Sequence, residues 1–200
     1  MKPIFGTLVI LLMHFTVFAG KYHKAKIILE NGTILEGLAE LPSNPSPTPI
    51  SFKQSADAKR QALRCDDIKT IIYTIGDNKT YEYDRMNIYI FEKDKKPRKV
   101  WLEVKQRGYV TLYEYASIAA FGGYGGRDNK FEISWFCHRQ GEDVAARITS
   151  TVSRNKRGYF AENAVKYFQD NTDIARKITN SEYSWKEMEK IVEEYNEWKK

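Results

Sequence analysis

Ile27-Ile28-Leu29-Glu30-Asn31-Gly32-Thr33-Ile34-Leu35-Glu36 decides the class of fold. Two runs of β-formers flank Asn31-Gly32, and Asn-Gly in that setting is the strongest short-range signal of a β-hairpin. A type I′ turn needs φ > 0 at both central residues, which Asn and Gly tolerate. The stretch therefore predicts two antiparallel strands and a two-residue turn. Asn31-Gly32-Thr33 also matches a glycosylation sequon, but the turn accounts for the same residues through a backbone need.

Outward from this hairpin the chain stays β-like. Pro42, Pro45, Pro47 and Pro49, with Ser43 and Ser46, exclude a helix or central strand and predict an extended surface loop. Ile50-Ser51-Phe52 reads as a short strand, and 54–63 as a loop or short helix. Ile68 to Ile75 is rich in β-branched residues, and Gly76-Asp77-Asn78-Lys79 is a turn. Thr80 to Tyr83 and Ile88 to Phe91 read as two aromatic-rich strands. Val100 to Val104 and Tyr109 to Tyr115 flank Gly108. Gly122-Gly123-Tyr124-Gly125-Gly126 reads as a tip between strands. Phe131 to Phe136 and Val144 to Ile148, turned by Gly141-Glu142-Asp143, complete the β content.

The last quarter changes period. Phe160, Ala164 and Phe168 share a helical face, as do Ile174 and Ile178. Ser184-Trp185-Lys186-Glu187 has the form of a capping box. Beyond it Met188, Ile191, Val192, Tyr195 and Trp198 form one apolar face. The expected fold class is α+β. An antiparallel, curled sheet or roll spans about 24–148, its first half compatible with an SH3-like roll, and a short C-terminal helical tail follows. The expected units are a signal peptide at 1–19, a β-rich domain at 20–153 and a helical tail at 154–200 packed on it.

The export reading comes from the N-terminus. Lys2 precedes an apolar stretch from Ile4 to Phe18, and Val17-Phe18-Ala19 fits the small-x-small rule, placing the cut between Ala19 and Gly20. The stretch is shorter than the roughly 20 residues that span a bilayer. After its removal no transmembrane span is expected, and the destination is the periplasm or the medium. The 200 residues carry 32 Lys and Arg against 26 Asp and Glu, with 42% hydrophobic and 14% aromatic residues. That composition excludes a disordered chain and allows one domain with a sizeable core.

Two cysteines exclude a disulfide-dense scaffold and a four-thiolate zinc site. Cys65 and Cys137 are candidates for a disulfide in an oxidising compartment, where loop closure would contribute about 4 kcal/mol. Two separately buried thiols are the alternative. Cys137 and His138 are neighbours on a predicted strand and point to opposite faces, so they do not converge on a metal. Asp66-Asp67, Glu142-Asp143 and Glu193-Glu194 read as turn and helix-face pairs. There is no nucleophile elbow, and Gly122 to Gly126 lacks the Lys-Ser/Thr of a phosphate loop. No catalytic, cofactor-binding or metal-ligating residue is assigned. Basic residues recur at Lys93, Lys95, Lys96, Arg98, Lys99, Lys105, Arg107, Arg147, Arg154, Lys156 and Arg157. They read mainly as solvated loops, with an anionic surface as the partner they would suit.

Four segments carry a resemblance: Cys65-Asp66-Asp67-Ile68-Lys69-Thr70-Ile71, Gly108-Tyr109-Val110-Thr111-Leu112-Tyr113, the strand pair around Gly141-Glu142, and the tail from Tyr159-Phe160 through Tyr195-Asn196. Through them the chain resembles uncharacterised exported β-rich proteins of Bacteroidota that end in a short helical tail. Asn171-Thr172-Asp173 stands where that group more often has a Pro-Glu pair. The resemblance implies a fold and an exported setting, with no assigned activity. The expected function is a non-enzymatic binding or structural protein of the cell envelope, with an envelope protein or anionic surface as partner and no nucleic acid in vivo. The alternatives are an enzyme acting on an envelope polymer and a structural subunit of a larger assembly.

Overall fold

The computed structural model describes residues 22–45, 48–91, 93–123, 126–152 and 155–200, with backbone alone for 118–131. The expected signal peptide and its cut between Ala19 and Gly20 lie outside the described residues. The strands are β1 (Tyr22–Leu29), β2 (Ile34–Glu40), β3 (Ile50–Lys53), β4 (Gln61–Leu63), β5 (Ile68–Ile75), β6 (Lys79–Ile88), β7 (Arg98–Gln106), β8 (Val110–Gly123), β9 (Gly126–Arg139) and β10 (Ala146–Ser150). They form one sheet in the order β10-β9-β8-β7-β6-β5-β1-β2-β3-β4. Three helices follow: α1 (Lys156–Tyr167), α2 (Thr172–Thr179) and α3 (Met188–Trp198). The class is α+β, as the change of period predicts.

The sheet is open, and this corrects the curled, SH3-like roll. Two antiparallel meanders, β1–β4 and β5–β10, join where β1 lies beside β5 with Ile27 opposite Ile71. Because β1 takes β5 on its second edge, the strand order continues outward to β4 and β10 instead of closing. Two local readings also change. The first hairpin forms, but its loop has three residues. Leu29 N–H donates to Thr33 O at 2.9 Å and Gly32 N–H to Leu29 O at 3.0 Å. Gly32 alone takes positive φ, at 84°, and Asn31 instead accepts from Thr33 N–H through its side chain. This is the three-residue loop ending in a left-handed glycine. Thr80 to Tyr83 and Ile88 to Phe91 are not separate strands. β6 runs unbroken to Ile88, held by β7 through Met86 opposite Val100 and Ile88 opposite Arg98, and Phe91 is exposed beyond it.

Strand alternation sets three buried clusters. Trp101 packs with Ile27, Ile71, Tyr73, Phe52 and Cys65 on one face. Its neighbours Val100 and Leu102 pack with Ile88, Tyr113, Tyr115 and Phe136 on the other, so β7 is buried on both faces. The third cluster joins tail to sheet, with Val110, Leu112, Cys137 and Ile148 meeting Phe160, Phe168, Ile174, Ile191 and Tyr195. Asn155 and Asn171 cap α1 and α2 by accepting from Gly158 N–H and Ile174 N–H. The Ser184–Glu187 capping box forms, over a 3-10 turn that leads into α3. Met188, Ile191, Val192 and Tyr195 are buried as the periodicity predicts. Trp198 is not; it is 49% exposed, beyond Asn196, where α3 last bonds to β8.

Two asparagine amides act as one-residue strands. Past the pair Glu103 opposite Glu114, β8 no longer pairs with β7. There Asn44, from the Pro-rich loop, accepts from Trp101 N–H at 3.0 Å and donates to Trp101 O at 2.8 Å. At the other end of β8, Asn196 of α3 accepts from Val110 N–H at 2.7 Å and donates to Val110 O at 2.9 Å. Each amide satisfies a donor and an acceptor that would otherwise be orphaned. A Cβ at Gly108 would overlap the Asn196 amide. Gly108→Ala is therefore expected to cost about 2 kcal/mol, close to Asn196→Ala, because both lose the same two bonds. In a denaturant-unfolding cycle the double variant should cost much less than the sum of the two.

Candidate functional site

The sheet places a cavity of about 460 Å³ where β6, β7 and β8 run side by side. Lys69, Arg85, Lys99, Arg107 and His138 contribute to its lining, with the carboxylates Glu30 and Asp84. Asp84 is the hub. Thr70 and Tyr113 donate to it from β5 and β8 at 2.7 and 2.8 Å, and Arg107 donates at 2.9 Å while also pairing at 2.8 Å. Arg107 reaches Glu82 as well, at 2.5 Å. Burial and the Asp84 carboxylate push the Tyr113 phenol up. Burial works against the Arg107 charge, but hydrogen bonds to Asp84 and Glu82 outweigh it and hold the guanidinium firmly protonated. Asp84 is thus held in place and saturated with donors.

The remaining charges of this cavity are unequally partnered. Lys99 pairs with Glu30 at 3.0 Å. Lys69 is exposed at the start of β5 and has no anionic partner among the described residues. Arg85 alternates with Asp84 along β6; its buried guanidinium lies 5.3 Å from the Trp101 ring and pairs with Asp66 at 3.9 Å. His138 Nε2 donates to Glu142 O at 2.7 Å. Glu82 and Asp66 pair with Arg107 and Arg85 from just outside the lining, so these charges balance, and Lys69 is the one of the four cations without an anionic partner among the described residues.

A second cavity, of about 270 Å³, lies where β8 parts from β7. Glu103 and Glu114 face each other across the two strands there, beside Tyr83. Lys105 pairs with Glu103 at 3.0 Å and with Glu114 at 3.7 Å. Burial raises the Glu114 pKa above the usual carboxylate range, partly offset by Lys105. Burial and Glu103 push the Tyr83 phenol up to about 12. None of these residues stands out in the sequence, since the pair is made by strand register.

The structure does not bring Cys65 and Cys137 together. Both are free and buried, Cys65 among the β1–β5 residues and Cys137 beneath the helices. Cys65 Sγ donates to Thr48 O at 2.8 Å. Burial pushes both thiols up, and Arg85 partly offsets this for Cys65. No group of three or more His, Cys, Asp or Glu able to hold a metal occurs among the described residues. Of the adjacent carboxylate pairs, Asp67 binds Arg64, Glu142 accepts from Tyr167 and Arg139 N–H, and Glu194 pairs with Lys177. Several residues of the basic runs are paired too, Lys99, Lys105, Arg107 and Arg147 among them, while Arg154 lies outside the described residues.

Carboxylates tie the tail together. Burial would raise Asp170, but hydrogen bonds from Tyr195 at 2.6 Å and Lys199 at 3.0 Å, with Arg139 nearby, hold it below its ordinary value. The Ser184 hydroxyl and backbone N–H lower Glu187 in the same sense. Folded-state values below the unfolded ones mean stability present above the ordinary carboxylate pKa and lost as pH falls through the lowered values. The tail is therefore expected to loosen below about pH 4. Trp185 and Trp198 fluorescence should report this in an acid titration, and Asp170→Asn should flatten the response.

No family model, curated protein or solved structure matches this chain. Among the described residues no helix is long and apolar enough to cross a membrane.

Proposed function

We propose that this is an exported protein of the cell envelope, resembling β-rich proteins of Bacteroidota, that binds without catalysing. Its larger site is the cavity between Lys69 and Arg107, and its ligand is an anionic group of an envelope surface or polymer. One observation carries the reading. Lys69 is exposed at the cavity without an anionic partner among the described residues, while both lining carboxylates are already committed, Glu30 to Lys99 and Asp84 to Arg107. A carboxylate holding several donors is a poor general base, whereas an uncommitted lysine beside fixed cations suits an incoming phosphate or carboxylate. Export rests on Lys2, the apolar stretch and Val17-Phe18-Ala19.

The test is calorimetric titration of the full chain with inorganic phosphate, beside sedimentation with phosphatidylglycerol vesicles. Binding that weakens with salt and falls several-fold in Lys69→Gln supports the reading. Absence of binding to both probes overturns it. The Glu103–Glu114 pair favours a second reading, an enzyme acting on an envelope polymer, because two carboxylates lining one cavity are the groups that glycosidic cleavage uses. Saturable turnover of an envelope glycan, abolished by Glu114→Gln, would establish that reading in place of the first.

A further inference from the structure

The β8–β9 hairpin outruns the sheet. β8 pairs with β7 only as far as Glu114, β9 pairs with β10 as far as Ser134, and Thr151 bonds the backbone of Ile133 just beyond. From Ser117 opposite Glu132 to Gly123 opposite Gly126 the two strands pair with each other through seven residue pairs. At about 3.3 Å per residue that is a ribbon of roughly 23 Å. A two-stranded ribbon alone is marginally stable in water, and each outer edge offers a row of backbone donors and acceptors.

The two edges differ in sequence. β9 from Gly126 to Lys130 carries Arg127, Asp128 and Lys130 in sequence, the kind of charges by which proteins blunt an exposed edge. β8 from Tyr115 to Gly123 reads Tyr-Ala-Ser-Ile-Ala-Ala-Phe-Gly-Gly, without a charge or a proline. This edge therefore lacks the charges and prolines that block pairing with another strand. Other edges among the described residues are shorter or partly covered: Asn44 caps β7 at Trp101, β4 is only three residues long, and β2 lacks a partner from β3 over Ile34 to Gly37.

We propose that the free edge of β8, Tyr115 to Gly123, pairs antiparallel with the same edge of a second copy of this chain. The two sheets then continue across a two-fold axis. No like charges meet, because neither edge carries any. Pairing the same edge of both copies is isologous, so the contact closes as a dimer.

Sedimentation equilibrium of the full chain, with hydrogen exchange over 115–123, tests this. The expected result is a monomer–dimer equilibrium in which the outward amides of β8 become protected as concentration rises. Ala119→Lys and Ala120→Lys put a charge on either face of the strand. Each should weaken the dimer by ~10-fold or more while leaving the melting temperature of the monomer unchanged. Single cysteines placed across 117–121 should give an oxidised dimer only at the one or two positions beside the axis. A monomer at every concentration, or a dimer that both lysine variants leave intact, overturns the proposal. Capture of a different protein by a chain that stays monomeric overturns it as well.

Discussion

Phe168→Ala is expected to destabilise the protein by about 4 kcal/mol, among the larger costs of a core truncation. Phe168 is fully buried where α1 ends, and its ring lies 5.1 Å from both Tyr167 and Tyr195, edge to face. It belongs to the cluster in which Val110, Leu112 and Cys137 of the sheet meet Ile174 and Ile191 of the tail. Truncation removes the ring from all of these partners at once, and relaxation is limited because strands fix one wall of the space. A loss of that size corresponds to a fall in Tm of about 12 °C for a chain of this length. Phe168→Leu keeps most of the volume and should cost about 1.5 kcal/mol. Chemical denaturation followed by tryptophan fluorescence measures both. A cost below about 1 kcal/mol for the alanine variant would mean that tail and sheet do not share a core.

Short-range chemistry accounts for what was legible. Asn31-Gly32 marks a hairpin, Gly141-Glu142-Asp143 marks another, and Ser184 with Glu187 marks a helix start, because in each case partner residues lie within a few positions. Even there, detail was decided by neighbours. Asn31 chose a side-chain bond to Thr33 over positive φ, and β6 ran through Met86 and Asn87 because β7 was available to pair with it. The hubs were not legible. Asp84 draws donors from positions 70, 107 and 113, and Asn196 reaches Val110 across most of the tail. Which residues meet there depends on strand order and register. The decisive step, β1 turning from β2 to take β5 on its other edge, leaves no local mark in the sequence. The same step opened the sheet and displaced the expected roll.

Asp84→Ala should cost about 3 kcal/mol, or nearly 10 °C in Tm, by orphaning donors more than by removing packing. Thr70 and Tyr113 are buried, and each aims its hydroxyl at Asp84, at 2.7 and 2.8 Å. Without that acceptor each carries an unmet desolvation cost of about 1–3 kcal/mol. Arg107 loses less, because 46% of its side chain is exposed and Glu82 remains as a partner. Three comparisons separate these contributions. Asp84→Asn keeps an acceptor and the volume, so it should cost about half as much. Tyr113→Phe in the Asp84→Ala background removes one orphan and should restore about 1 kcal/mol. Arg107→Gln alone should cost about 1 kcal/mol, consistent with a partly solvated ion pair. Functionally, the alanine variant frees Arg107 from its anchor and should broaden the cavity beside Lys69. If the proposed anion site depends on fixed cations, phosphate affinity should fall even though a negative charge has been removed. A simple electrostatic patch would show the opposite, with affinity rising as Asp84 is lost. The sign of that change therefore separates a built site from a merely basic surface.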